Sequence, residues 1–350
     1  PGNGIIRLDS VHSARALDAF KNLNSIPSFF IPASGSGSRM FQFLFEFMAS
    51  NVENKEVDNF FENIEEMPFY SKLKENKEVD LKNRRQVISY LLSEDGLNLA
   101  QQPKGMIPFH VDKNSTYNAF QDHARQANDL FPQGCQIHFT IQQEFENEIK
   151  SSIESLQLSK LTFSFSYQKD STDAFCYDPG GNLIEYNGVP LRRPAGHGAL
   201  LQNLNALDNN LVLIKNIDNV QHSAKSKLSE DVWKSAIGFL LNFKDDLKSL
   251  YENFTQASLI KFNDTYQVVS PKEKEDFDEL LLTKLVSRPT RICGMVKNEG
   301  EPGGGPFWIN DKGSDTKQII EKVQISDEID QQEILEKSTH FNPVFMIISK

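Results

Sequence analysis

Phe29-Phe-Ile-Pro-Ala-Ser-Gly-Ser-Gly-Ser-Arg-Met40 places a strand, a turn and a helix start within twelve residues. Phe29, Phe30 and Ile31 read as the end of a buried strand. A turn of small residues follows, Ala33, Ser34, Gly35, Ser36, Gly37 and Ser38, and Arg39 and Met40 then open an apolar helical run. A strand leading through such a turn into a helix N-terminus makes an anion site, because the first helical N–H groups lack intrahelical acceptors and the helix dipole adds positive potential. Glycine lets backbone approach a phosphate, and Arg39 offers a charged fork beside it. By itself the turn is equally well a tight βα connection. It is neither a dinucleotide fingerprint, since Met40 stands where the third glycine should be, nor a Walker loop, since no Gly-Lys-Ser/Thr follows.

The rest of the composition narrows the field. The chain has 350 residues, enough for one large domain or two smaller ones, and 39% of them are hydrophobic, with 26 phenylalanines. A net charge of −11 argues against a nucleic-acid partner, which needs clustered Lys and Arg. Cys135, Cys176 and Cys293 are too far apart for a disulfide framework or a zinc site and suit a reducing cytoplasm. No apolar run reaches the ~20 residues of a membrane span, so no membrane association is expected. The chain begins at Pro1 and stops at Lys350 just after the apolar VFMIIS, from which a fragment or a processed chain, with a further element after Lys350, is expected.

Taken in order, residues 1–27 form a lead-in with a helix over 12–23, ahead of a domain spanning 28–350. The run 40–48, with five apolar side chains between Phe41 and Phe47, reads as a helix buried on all sides against a sheet. Residues 51–83, acidic and lysine-rich, read as a helical insertion on the surface. A helix over 84–92 leads to the loop Gln102-Pro-Lys-Gly105. Strands are expected over 135–141, 161–167, 211–214, 291–296, 318–325 and 344–348, with helices over 144–156, 199–207, 230–253 and 274–285. Residues 173–177 and 183–186 flank an Asp-Pro-Gly-Gly-Asn hairpin turn. Strands alternating with helices imply a mostly parallel sheet covered on both faces, with ligands at the strands' carboxyl ends.

Four further motifs fall at such ends. Lys104 follows Pro103, which holds an extended backbone, so its ammonium can project as a point charge; it also reads as an ordinary surface lysine. Gly196 and Gly198 flank His197 just before a helix. Asp218-Asn219 ends the segment Leu211-Val-Leu-Ile-Lys-Asn-Ile, where a strand could deliver a Mg²⁺ ligand or merely a turn cap. The run from Gly294 to Pro306 carries Lys297, Asn298, Glu299 and Glu301 in a Gly-rich loop that is either ligand-shaped or a long hairpin turn.

In type and order these motifs, from Phe29 to Pro343, resemble the sugar nucleotidyltransferases, whose signature runs from an apolar strand through Gly-x-Gly-Ser/Thr-Arg-Met/Leu to a later Pro-Lys pair. The chain is similar to an uncharacterised bacterial family of unknown function, itself similar to the UDP-N-acetylhexosamine and UDP-glucose pyrophosphorylases. The resemblance implies a Rossmann-like three-layer α/β nucleotidyltransferase fold: a mostly parallel mixed sheet with helices on both faces and a helical insertion. It implies an enzyme joining a sugar 1-phosphate to a nucleoside triphosphate with release of pyrophosphate. Arg39 and Lys104 would be its catalytic cations and Asp218 the ligand of Mg²⁺. Ala33, Ser34, Gly35, Ser36, Gly37 and Ser38 would bind the nucleotide, together with Gly196, His197 and Gly198. Lys297, Asn298, Glu299 and Asn342 (in Thr339-His-Phe-Asn-Pro343) would read the sugar. One departure stands out: 104 − 39 = 65 positions separate Arg39 from Lys104, far more than is usual in the family, so the insertion must loop out if the two are to meet. A catalytically silent sugar-nucleotide-binding module is the alternative. A metal-dependent glycosyltransferase is weaker, because Asp218 is not part of an Asp-x-Asp.

Overall fold

The computed structural model describes residues 4–50, 52, 54–113, 115–193, 195–270, 279–300, 303–311 and 313–350, with the side chains of His197, Leu280, Leu281 and Ser314 outside that description. The sequence suggests a lead-in before a single domain. By its internal contacts the chain divides into two compact units, Ser28–Asp208 with Asn216–Lys227, and Pro1–Pro27 with Asn209–Lys215 and Leu228–Lys350.

The first unit is built on three parallel strands, β1 (Ser28–Pro32), β2 (Cys135–Thr140) and β3 (Leu161–Ser166), with β2 in the middle. Their apolar runs follow from burial: all of β1 is buried, and β2 exposes only Gln136. β3 alternates, with Leu161 buried and Thr162 and Ser164 outward. The helix Ala119–Leu130 enters through a capping box in which Asn118 and Gln121 satisfy each other's backbone N–H groups. The same two side chains reach Ser152 on the helix Glu146–Glu154, at 2.7 Å and 3.0 Å, and fix the two helices together.

A hairpin absent from the sequence reading, Pro108–Asp112 against Ser115–Asn118, precedes that helix. His110 Nδ1 lies 2.7 Å from the buried Asp122 carboxylate. Arg125 donates to Asp112 and Asp122 while stacking 4.0 Å over the Tyr117 ring. These contacts hold the hairpin, and with it the end of the Pro103–Lys104 loop, against the helix.

The run after the Gly-rich turn differs from expectation. A short 3-10 turn, Ser38–Phe41, opens the helix Gln42–Ser50, in which only Leu44 and Phe47 are buried. Met40 and Phe45 are about two-fifths exposed, at 40% and 39%. The apolar face packs on the insertion's own helices, Lys55–Glu62 and Tyr70–Glu75, and on Arg84–Leu92. Val57, Phe60, Phe69, Leu73, Ile88 and Leu91 make a core there with Phe41, Leu44 and Phe47. The insertion is thus a helical module with an interior of its own, and its polar sequence is only its outer face.

The second unit has strands β4 (Leu211–Ile214), β5 (Thr290–Cys293) and β6 (Met346–Ser349). β6 lies between the other two and runs antiparallel to both, the mixed part of the mostly parallel, mixed arrangement expected from the sequence. The helix Ser226–Glu252 runs unbroken for 27 residues, and Gln256–Tyr266 follows behind a Thr255 capping box. The expected helix over 274–285 is described only as Glu279–Ser287, its first part lying outside the described residues. The strand expected over 318–325 is shifted to Ser314–Ile320 and forms a hairpin with Gly305–Asp311, so the end of the Gly-rich run is ladder rather than loop. Among the described residues no helix is long and apolar enough to cross a membrane.

Candidate active site

The Gly-rich turn leaves β1 at Pro32 and is fastened at once: the Ala33 N–H donates to Thr140 O at 2.8 Å. Further along, Gly37 N–H donates to Gln102 O and Lys104 N–H to Gly35 O, both at 2.9 Å, and Ser36 bridges Pro103 in antiparallel fashion. The turn and the Pro-Lys loop therefore lie side by side despite the residues between them, and the helical module loops out from this junction. Gly37 is there for packing. A Cβ on it would stand 2.6 Å from Ile107 Cδ1 and 2.9 Å from Leu99 O, closer than real Cβ atoms come. A Cβ on Gly35 meets nothing within 4 Å, so that face of the turn is open.

Several N–H groups of the turn have no acceptor. Among the described residues, the amides of Ser34, Gly35, Ser36, Ser38 and Arg39 make no hydrogen bond, while the Ser36 and Ser38 hydroxyls bond each other at 2.8 Å. Arg39 is exposed and makes no ion pair there. Unpaired N–H groups around an open glycine, with a cation at hand, suit an anion.

Lys104 meets Asp218 directly: Nζ lies 2.5 Å from Oδ2, with the two side chains 32% and 39% exposed. Packing sets both. Gly105 lets its loop close on Ile217 and Phe120, since a Cβ there would be 2.7 Å from each. The Ile217 carbonyl, which can only accept, holds His123 Nε2 at 2.9 Å, so that nitrogen carries the proton. Ile217 is thereby pinned from two sides, and Asp218 follows it in a turn closed by Asn219 N–H to Asn216 O at 3.0 Å. The Asp218 carboxylate has no partner but Lys104 among the described residues.

Gly196 N-caps the 3-10 turn His197–Leu200, which runs into the helix Leu201–Asn205. Neither Gly196 nor Gly198 would bring a Cβ within 4 Å of another group. The His197 side chain lies outside the described residues. From that helix, Asn203 Nδ2 donates to Ser166 Oγ at 2.8 Å and to Tyr167 O at 2.9 Å, at the end of β3. His138, in β2, joins the same network through Ser164 and Ser166, each at 2.8 Å, and burial pushes its imidazole below the ordinary value of 6.5. Thr140, Gln142 and Asn203 in this region were missed by sequence reasoning; nothing in their spacing marks them.

A separate cavity of about 340 Å³ opens between the helical module and the hairpin, bordered by Phe69, Leu97, Pro103, Met106 and Tyr117. Lys72, Gln102, Thr116, Asn118 and Gln121 share its wall with these side chains, so the lining mixes polar and apolar groups.

The remaining candidates belong to the other unit. Lys297 sits in a two-residue strand against His340 and is exposed. Asn298 Oδ1 accepts from Gly300 N–H at 2.8 Å, and Glu299 is exposed. Asn342 is buried: its Nδ2 donates to Gly294 O and Phe345 O at 2.7 and 3.1 Å, and its Oδ1 accepts from Val344 N–H at 3.0 Å. That amide is engaged in holding a turn. Glu301 lies outside the described residues.

The parallel strands, the open turn and the cation–carboxylate pair belong to a mixed α/β protein. Among known families, the chain belongs to the one described as Domain of unknown function (DUF4301), which matches it over residues 1–350. No curated protein matches it.

Proposed function

We propose that this chain is a nucleotidyltransferase, in which a sugar 1-phosphate oxygen attacks the α-phosphorus of a nucleoside triphosphate in line and pyrophosphate leaves. The observation that carries the reading is the convergence of the unpaired Gly-rich turn, the Lys104 loop paired to it, and Asp218 against Lys104. Such a reaction needs little covalent help from the protein; it needs phosphates held in line and charge stabilised as it develops. The amides of Ser34, Gly35, Ser36 and Ser38 and the Arg39 guanidinium would bind phosphate oxygens, and Lys104 would swing from Asp218 to the triphosphate as it arrives. Mg²⁺ bound with phosphates needs only one or two protein carboxylates. Asp218 supplies one, and no group of three His, Cys, Asp or Glu among the described residues offers a self-sufficient metal cage. Bound there, the ion would supply charge neutralisation.

The test incubates the purified chain with Mg²⁺ and panels of nucleoside triphosphates and sugar 1-phosphates, following pyrophosphate. Release that EDTA abolishes and Lys104→Ala lowers by at least about 100-fold supports the reading; no release with any pair removes it. A silent binding module is the second reading, favoured by the way Lys104 and Asp218 already neutralise each other. Nucleotide binding that survives EDTA without turnover would decide for it.

A further inference from the structure

Five buried side-chain atoms among the described residues find no hydrogen-bond partner: Asn98 Oδ1, Thr140 Oγ1, Gln142 Oε1, Asn203 Oδ1 and Asn216 Oδ1. Native chains leave few such atoms, and each asks for a physical reason. Three of the five gather at one place. Thr140 ends β2 and pairs in register with Ser166 at the end of β3. Ile141 N–H donates to Ser166 O at 2.9 Å, which carries Gln142 along the same edge. Asn203 is fastened to the same two residues, Ser166 and Tyr167. Because Tyr167 O can only accept, the nitrogen of the Asn203 amide must face it, and Oδ1 is turned away from the strand. Thr140 is fully buried and Asn203 only 8% exposed. Thr140 O also receives the Ala33 N–H, so this group adjoins the start of the Gly-rich turn.

The chemistry of the three atoms is lopsided. Two are amide carbonyl oxygens, which only accept; the third is a hydroxyl with a single proton to give. A complementary ligand edge carries at least two donors. The amino edges of adenine, guanine and cytosine do. Uracil and thymine present one N–H between two carbonyls, and would set oxygen against oxygen. We infer that Thr140, Gln142 and Asn203, whose three atoms are closed to solvent in the free protein, open into a recess that reads the nucleotide base and takes amino-bearing bases in preference to uracil or thymine. This rests on the nucleotide reading given above. Vicinal sugar hydroxyls share the donor-rich chemistry, and the experiment separates the two sources.

Equilibrium binding of α,β-methylene analogues of ATP, GTP, CTP, UTP and dTTP, and of sugar 1-phosphates, is measured with Mg²⁺ on the full chain and on Thr140→Val, Gln142→Leu and Lys104→Ala. The amino-bearing nucleotides should bind about tenfold tighter than UTP and dTTP. Thr140→Val and Gln142→Leu should each weaken them by about three- to tenfold and leave UTP unchanged. Thr140→Val should also raise the melting temperature of the free protein, because a methyl replaces an unpaired hydroxyl. Nucleotides bound alike whatever their base, with Lys104→Ala weakening all of them and Thr140→Val none, would overturn the base recess and leave the nucleotide site standing. Sugar 1-phosphates that alone bind, and lose affinity in Thr140→Val, would assign the recess to hydroxyls and overturn both. A lower melting temperature for Thr140→Val would show the hydroxyl already paired in the free protein, and would remove the premise.

Discussion

Gly35 and Gly37 are indistinguishable on the page of sequence and opposite in space. Gly37 is walled in by Ile107 and Leu99, whereas Gly35 faces nothing within 4 Å. Gly37→Ala should therefore destabilise the chain by about 1–3 kcal/mol and Gly35→Ala by far less. If phosphate approaches the turn, Gly35→Ala should instead weaken nucleotide binding; calorimetric melting and titration of both variants check this. Lys104 and Asp218 are about one-third exposed, at 32% and 39%, so solvent screens their pair. Asp218→Asn should cost no more than about 1 kcal/mol of stability while ending pyrophosphate release, a split that a purely structural ion pair would not give. His138 links the site to pH. Its buried imidazole resists protonation, whereas the unfolded chain takes a proton near 6.5. The unfolded state then binds more protons below that value, so stability is full above it and falls as pH drops through it toward the folded pKa. Urea melts from about pH 7.5 to about pH 5 should show that loss, and His138→Gln should flatten it.

At the scale of elements, periodicity told most of what it could. The runs at 135–141, 161–167 and 211–214 became β2, β3 and β4 within a residue, because β4, buried throughout, is continuously apolar while β3 alternates with the period of two that a half-exposed strand requires. The direction of β6 was not legible: an apolar run looks the same whichever way its neighbours point, and connections decide it. The helix after the Gly-rich turn was read as buried all round because Phe41 to Met48 is so apolar; it proves to be half of an interface whose other half lay in a segment that looked merely solvated. Leu73 is 0% exposed in that interface, and Leu73→Ala should cost about 2–5 kcal/mol, measurable by denaturant unfolding.

For the whole molecule, the order of the motifs pointed to a phosphate site, and the adjacency of the Gly-rich turn and the Pro103–Lys104 loop required only that the intervening residues fold back. The unpartnered acceptors at Thr140, Gln142 and Asn203 had no such signal, since an orphaned oxygen is a property of three-dimensional surroundings. The division into two units was hidden for a related reason: each draws its chain from segments remote in sequence.

The hydrogen bond from Gly37 to Gln102 closes a doorway through which the helical module leaves the strand layer and returns. Helices with mostly local contacts assemble quickly. Once the module has formed, its two ends already stand together, so the entropy of closing so long a loop has been met before the doorway bonds are made. Loosening the module should then unlatch Lys104 from a distance. Leu73→Ala, which touches no phosphate, should weaken nucleotide binding near its melting range and have no effect well below it, so titrations repeated at rising temperature would reveal the hinge.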